Sequence, residues 1–204
     1  MKDYISVDLE TTGFSPLNSD IIEIGAWKVK GGVVVDKFCT LVRPVMYIPR
    51  TVQELTGITM EDVKDCELVE PVLSEFHSWC EGLPFLGHNL VFDYDFLCYK
   101  GKYAGLDFTL NNQRTGIDTL SLSKKILSLQ SNKLEEVAKH FNICIDAEKS
   151  GYHRAGYDAY ITKLIYDRFL LMHKGVDGVD IPHILRLNDN KYGKVTNNDT
   201  LSFT

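Results

Sequence analysis

An α/β fold built on one mixed sheet is the class this sequence predicts, and three observations predict it. Residues 4 to 42 hold three β-rich segments joined by turn residues. Beyond them, apolar stripes at helical spacing alternate with short apolar strands, the pattern of helices packed on a sheet. No stretch approaches the ~20 apolar residues of a membrane span.

Tyr4 to Leu9 alternates, with Ile5, Val7 and Leu9 on one face and Ser6, Asp8 and Glu10 on the other. A turn around Gly13-Phe14-Ser15-Pro16 leads to a second strand, Asp20 to Lys30. Gly31-Gly32 reverses the chain into a third, Val33 to Val42, completing an antiparallel meander. Pro49 to Asp62 reads as short helical turns around Gly57. Val69 to Cys80 is a helix whose apolar stripe is Val72, Leu73, Phe76 and Trp79. Phe85-Leu86-Gly87 is a short strand, and Asn89 to Ala104 the helix after it. Gly116 to Leu120 is a strand running into a helix, and Ser131-Asn132 caps a helix ending at His140. A glycine-flanked loop holds His153, and a long helix follows from Arg154 to about Met172. The sheet therefore has about five strands, three-strand meander first. Residues 1–174 form the domain. Residues 175–204, rich in Asn, Asp and Gly, are an extension, either an edge hairpin using Ile184–Leu187 and Leu201–Phe203 or a partner-binding tail.

Composition narrows the function. Hydrophobic content of 44% and charged content of 25% suit an ordinary globule. A net charge of −6 argues against a protein that coats nucleic acid by counterion release alone. It leaves room for an enzyme that grips a short strand end through metal ions and stacking. Cys39, Cys66, Cys80, Cys98 and Cys144 are odd in number and never spaced Cys-x-x-Cys, so neither a disulfide framework nor a zinc knuckle is signalled. Met1-Lys2-Asp3-Tyr4 runs straight into a strand, which leaves no signal peptide and predicts a cytoplasmic protein with no membrane partner.

Chemistry concentrates in three short motifs: Asp8-Leu9-Glu10-Thr11-Thr12-Gly13, His88-Asn89-Leu90-Val91-Phe92-Asp93, and His153-Arg154-Ala155-Gly156-Tyr157-Asp158. Each has an ordinary reading. Asp8 and Glu10, two apart on a strand, share one face and can simply meet solvent. Asp93 suits the first turn of a helix, as does Asp95, which is left out of the site. His88 and Asn89 suit a helix-capping turn, Asp158 a helix surface, and His153 an exposed loop. Together the motifs mean more, because acids gathered into one site repel each other unless a cation joins them. The Thr11-Thr12-Gly13 strand end also lets backbone N–H groups approach an anion.

In this order the motifs resemble those of the DnaQ-like exonucleases, the DEDDh branch of the ribonuclease-H-like superfamily. That branch includes the proofreading exonuclease of bacterial DNA polymerase III, as its epsilon subunit or within PolC. Leu55-Thr56-Gly57-Ile58-Thr59 and Asp118-Thr119-Leu120 resemble two further family segments, and histidine ahead of the last Asp marks DEDDh rather than DEDDy. The resemblance covers about residues 3 to 172. The Gly151-Tyr152 pair before His153 and the tail beyond Gly175 depart from the pattern.

What the resemblance implies is a 3′→5′ exonuclease releasing 5′-mononucleotides from DNA 3′ ends with two Mg²⁺ or Mn²⁺ ions. Asp8 would bridge both ions, Glu10 and Asp158 complete one, Asp93 assist through water, and His153 act as general base. Thr11, Gly13, Phe14, His88 and Phe92 would hold the terminal nucleotides, with Phe92 equally readable as core. The expected partners are a nucleic-acid 3′ end, single-stranded DNA first, and a DNA polymerase subunit. Three alternatives stand beside it: an RNA 3′-end exoribonuclease of the oligoribonuclease or ribonuclease T kind, a non-catalytic nucleic-acid-binding module, and a metal phosphoesterase for small molecules.

Overall fold

The meander predicted from residues 4 to 42 is present in the structure, a computed structural model that describes residues 3–108, 115–144, 154–174 and 185–186. Its strands are β1 (Tyr4–Thr11), β2 (Ile21–Lys30) and β3 (Val33–Leu41). After α1 (Arg50–Thr56), α2 (Met60–Val63) and α3 (Val69–Cys80), the chain forms β4 (Phe85–Gly87) and α4 (Leu90–Tyr103). Then come β5 (Thr115–Asp118), α5 (Thr119–Ile126), α6 (Leu134–His140), α7 (Ala155–Lys174) and β6 (Leu185–Arg186).

One sheet runs in the order β3-β2-β1-β4-β5-β6. β1 pairs antiparallel with β2 and parallel with β4; β4 and β5 are parallel, and β6 is antiparallel on β5. This mixed sheet flanked by helices has one strand more than the sequence predicts, because Leu185–Arg186 adds a two-residue edge. The companion strand expected at Leu201–Phe203 lies outside the described residues.

The helices divide between the two faces of the sheet. On one, Ile5, Val7 and Leu9 of β1 pack with Phe76 of α3 and with Phe96 and Leu97 of α4. On the other, Tyr4, Leu86 and Ile117 pack with Val137 of α6 and Ile165 and Phe169 of α7. A small third cluster, Ile22, Ile48, Ile58 and Val63, seats α1 and α2 against β2. The capping predicted for α6 differs in detail. The helix starts at Leu134 with Lys133 at its cap and no side-chain cap bond. The Asn132 backbone carbonyl accepts from the His88 ring at 2.9 Å.

β1 is thus a central strand with both edges paired and both faces covered. Its polar side does not meet open solvent, because α7 crosses it. The approach is close: a Cβ on Gly25 of β2 would lie 2.0 Å from the Gly156 nitrogen, so only glycine admits the helix start there.

Candidate active site

The acidic positions converge at the C-terminal half of β1, beyond its parallel pairing with β4 at Ile5 and Ser6. Asp8 and Glu10 project from the same side of the strand, and Asp158 reaches them from the first turn of α7. One carboxylate oxygen from each of the three lies within 4.8 Å of the others, and all three residues are half-buried. Asp93, in the first turn of α4, is buried and stands apart in geometry. Its Oδ1 accepts the Leu9 backbone N–H at 3.0 Å, which ties α4 to β1. Asp95 is not one of the three acids that meet there.

The electrostatics fit a cation. Burial pushes the Asp8 carboxyl well above the usual carboxylate range, and Asp93, Glu10, Asp158 and Glu23 push it further. Each of these four neighbours is another carboxylate. Glu10 is raised to about 9, by burial first and then by Asp158, Glu23 and Asp93, while Arg154 lowers it. Burial also raises Asp93, despite its bond from Leu9. Carboxylates this close suit a hard divalent ion with oxygen ligands.

The nucleotide-binding positions are distributed unevenly. The Thr11 hydroxyl donates to the Gly13 carbonyl at 2.7 Å, so the turn beside Glu10 is braced from within. Phe14, next along, is 94% exposed and open to a flat partner. His88 is half-buried, with Nδ1 at 2.9 Å from the Thr119 hydroxyl and Nε2 on Asn132; burial lowers its pKa. Both ring nitrogens are engaged within the fold, which makes His88 a brace between β4, α5 and α6. Phe92 packs on Phe96, ring centroids 5.1 Å apart, at the margin of the core. His153 lies outside the described residues.

Two buried acids near the site were not assigned a role from sequence. Asp118, at the end of β5, accepts from the backbone N–H groups of Asn89 at 2.8 Å and Leu120 at 3.1 Å and from the Ser121 hydroxyl at 2.8 Å. It thereby joins the β4–α4 and β5–α5 junctions. Glu23 of β2 sits opposite Glu10 in register and binds Arg154. The available signal was a single charge inside the apolar run Ile21-Ile22-Glu23-Ile24, since an ionised residue is rarely buried unpaired.

Sheet order and covering helices together define a ribonuclease-H-like fold, with the three acids gathered beside α7. The exonuclease family model matches residues 5–166. The chain is 34% identical over 169 residues to DNA polymerase III subunit epsilon of Aquifex aeolicus, a match covering 82% of this chain and 80% of the relative. It is 37% identical over 187 residues to the PolC-type DNA polymerase III of Thermotoga maritima, covering 91% of this chain. The chain spans only 13% of that PolC-type relative's length. Among solved structures, exonuclease X in complex with 5′-overhanging duplex DNA matches with a TM-score of 0.64 at 23% identity, over 85% of this chain and 93% of the other. The nuclease domain of 3′hExo, a DEDDh family member bound to rAMP, matches with a TM-score of 0.70 at 18% identity, over 84% and 92%. The chain belongs to the exonuclease family, whose members typically use divalent metal ions. Among the described residues, no helix is long and apolar enough to cross a membrane.

Proposed function

We propose that this chain trims DNA strands from the 3′ end, releasing 5′-mononucleotides, in proofreading or repair alongside a DNA polymerase. The single observation that carries the reading is the approach of Asp8, Glu10 and Asp158 to within 4.8 Å in a chain of the exonuclease family. Asp8, Glu10 and Asp158 would hold two Mg²⁺ or Mn²⁺ ions, with Asp93 as an outer support because Leu9 already occupies one of its oxygens. An all-oxygen, thiolate-free donor set favours those hard ions over zinc. When bound, the ions supply charge neutralisation at the scissile phosphate and the departing 3′ oxygen.

The remaining work falls to the chain's own groups. His153 takes the proton of the attacking water, a task suited to a side chain that titrates near neutrality. Phe14 stacks on an unpaired base, a sequence-tolerant contact that a trimming enzyme needs. Backbone groups of Thr11 and Gly13 line the approach to the terminal phosphate, while His88 and Phe92 shape the floor. Residues 1–174 make up the catalytic unit and 175–204 an extension. The polymerase partner rests on the epsilon and PolC-type relatives, in which a similar region is a subunit or part of a longer chain. A second reading, RNA as the polymer, is favoured by one observation, the rAMP named with the 3′hExo neighbour.

The test is parallel digestion of 3′-labelled single-stranded DNA, mismatched duplex DNA and RNA with Mg²⁺ or Mn²⁺, with Asp8→Ala as control. Mononucleotide release from both DNA substrates is expected. Preferential digestion of RNA would move the chain to the second reading, and inactivity on all three would overturn both.

A further inference from the structure

We propose that Glu23 and Arg154 are positioning residues that seat the first turn of α7 on β2 and so deliver the Asp158 carboxylate to Asp8 and Glu10. The inference rests on the metal-binding reading above and concerns how that site is assembled.

Alternate residues of two neighbouring strands make a platform. Glu23, Gly25 and Trp27 of β2 pair in register with Glu10, Asp8 and Ser6 of β1, so all six share one side of the sheet. The start of α7 is fixed to this platform at successive points. The Arg154 guanidinium meets the Glu23 carboxylate through Nη2 at 2.7 Å and through Nε at 3.1 Å to both oxygens. Glu23 Oε2 also accepts the Ala155 backbone N–H at 3.1 Å, capping the helix from another strand. Trp27 Nε1 donates to the Gly156 carbonyl at 2.6 Å, and the Ser6 hydroxyl to that of Ala159 at 2.7 Å. Asp158 lies between these anchors, its N–H bonded to the Arg154 carbonyl at 3.0 Å.

Glu23 is a poor choice if charge alone mattered. Its side chain is 6% exposed and adds to the repulsion felt by Asp8 and Glu10. A buried acid beside other acids weakens the apo fold unless its geometry is needed, and the four hydrogen bonds described for it all hold the helix start. Arg154, at 44% exposure, is the partner that neutralises it.

Charge and geometry predict opposite results, which makes the proposal testable without turnover. The full chain is titrated with Mn²⁺ alone by calorimetry, at fixed pH and below the melting temperature of each variant. Arg154→Gln removes a positive charge from the cluster, so a purely electrostatic role tightens Mn²⁺ binding. A positioning role weakens it, by roughly 10–100-fold as for other residues that orient metal ligands. Because Arg154→Gln leaves Glu23 buried without its partner, Glu23→Gln/Arg154→Gln provides the charge-neutral control. Weakened Mn²⁺ binding in the folded double variant is expected. Unchanged affinity there, or unchanged or tighter binding in Arg154→Gln, overturns the proposal and leaves an ordinary stabilising ion pair. Wild-type protein that binds no Mn²⁺ overturns the metal reading, and this one with it.

Discussion

Ile5, Val7 and Leu9 leave β1 toward α3 and α4, where aromatic and aliphatic side chains close around them. Ser6, Asp8 and Glu10 leave the same strand on the opposite side, toward the start of α7. The first face stabilises the fold through apolar area removed from water. The second withdraws carboxylates from water and sets them against each other, which raises the pKa values of Asp8 and Glu10 and opposes folding. One strand therefore carries the core and the chemistry back to back. The rigid apolar side holds the repelling acids at short range, so that a cation finds them already assembled.

The largest effect is expected from Asp8→Ala: nuclease activity falls to background while the melting temperature holds or rises, because a repelling charge is gone. Retained activity beyond a trace, in a digestion assay, would remove Asp8 from the proposed machinery. His153→Ala comes next, slowing turnover by ~10²–10⁴-fold. Calorimetry should find its Mn²⁺ affinity close to wild type; lost binding would make His153 a ligand instead of a base.

The acidic face should also respond to pH when metal is chelated. In the folded chain the Glu10 carboxyl is raised from 4.5 to about 9, so folding retains a proton that the unfolded chain releases between those values. Stability is then fully present below about pH 4.5 with respect to this group and declines as pH climbs toward 9. Thermal melts in EDTA should fall from pH 6 to pH 8.5, and Mn²⁺ should raise the melting temperature most at the higher pH. A melting temperature in EDTA that does not fall with pH would mean the acids are not destabilising neighbours.

On the apolar face, Ile5→Ala should cost about 2–5 kcal/mol in denaturant unfolding, since Ile5 is fully buried. Its specific activity per folded molecule should stay near wild type, and a parallel loss of activity would show that the two faces are coupled. The smallest effect is expected from Phe14→Ala, because the ring is 94% exposed and supports nothing in the fold. It should weaken strand binding by about 1–3 kcal/mol in a fluorescence titration and leave the melting temperature unchanged.

Much of the architecture was legible before the structure. Val69–Cys80 carries its stripe at helical spacing and is α3 residue for residue. The Gly31-Gly32 turn sets the β2–β3 hairpin, with both glycines at positive φ. Local signals suffice where pattern and burial agree. They misled at α6, where Ser131-Asn132 has the chemistry of a cap but Lys133 takes the cap position. In the site, spacing along β1 put Asp8 and Glu10 on one side of a strand. It could not show that His88 has both nitrogens engaged, since Thr119 and Asn132 are distant in the chain. Glu23 went unassigned for the same reason: its partner Arg154 is 131 residues away.

The sequence by itself determined the elements, their order, the resemblance of three motifs to DEDDh exonucleases, and which acids were candidates for one site. Those are properties of residue type and spacing, which a chain carries wherever it folds. Only the tertiary structure decided that Asp158 joins Asp8 and Glu10 within 4.8 Å while Asp93 is tied to a backbone N–H. It also decided that a buried glutamate on β2 anchors the helix bringing Asp158 in. Carboxylates that repel do not choose their own spacing. The packing of β2 and α7 around Gly25 sets it for them.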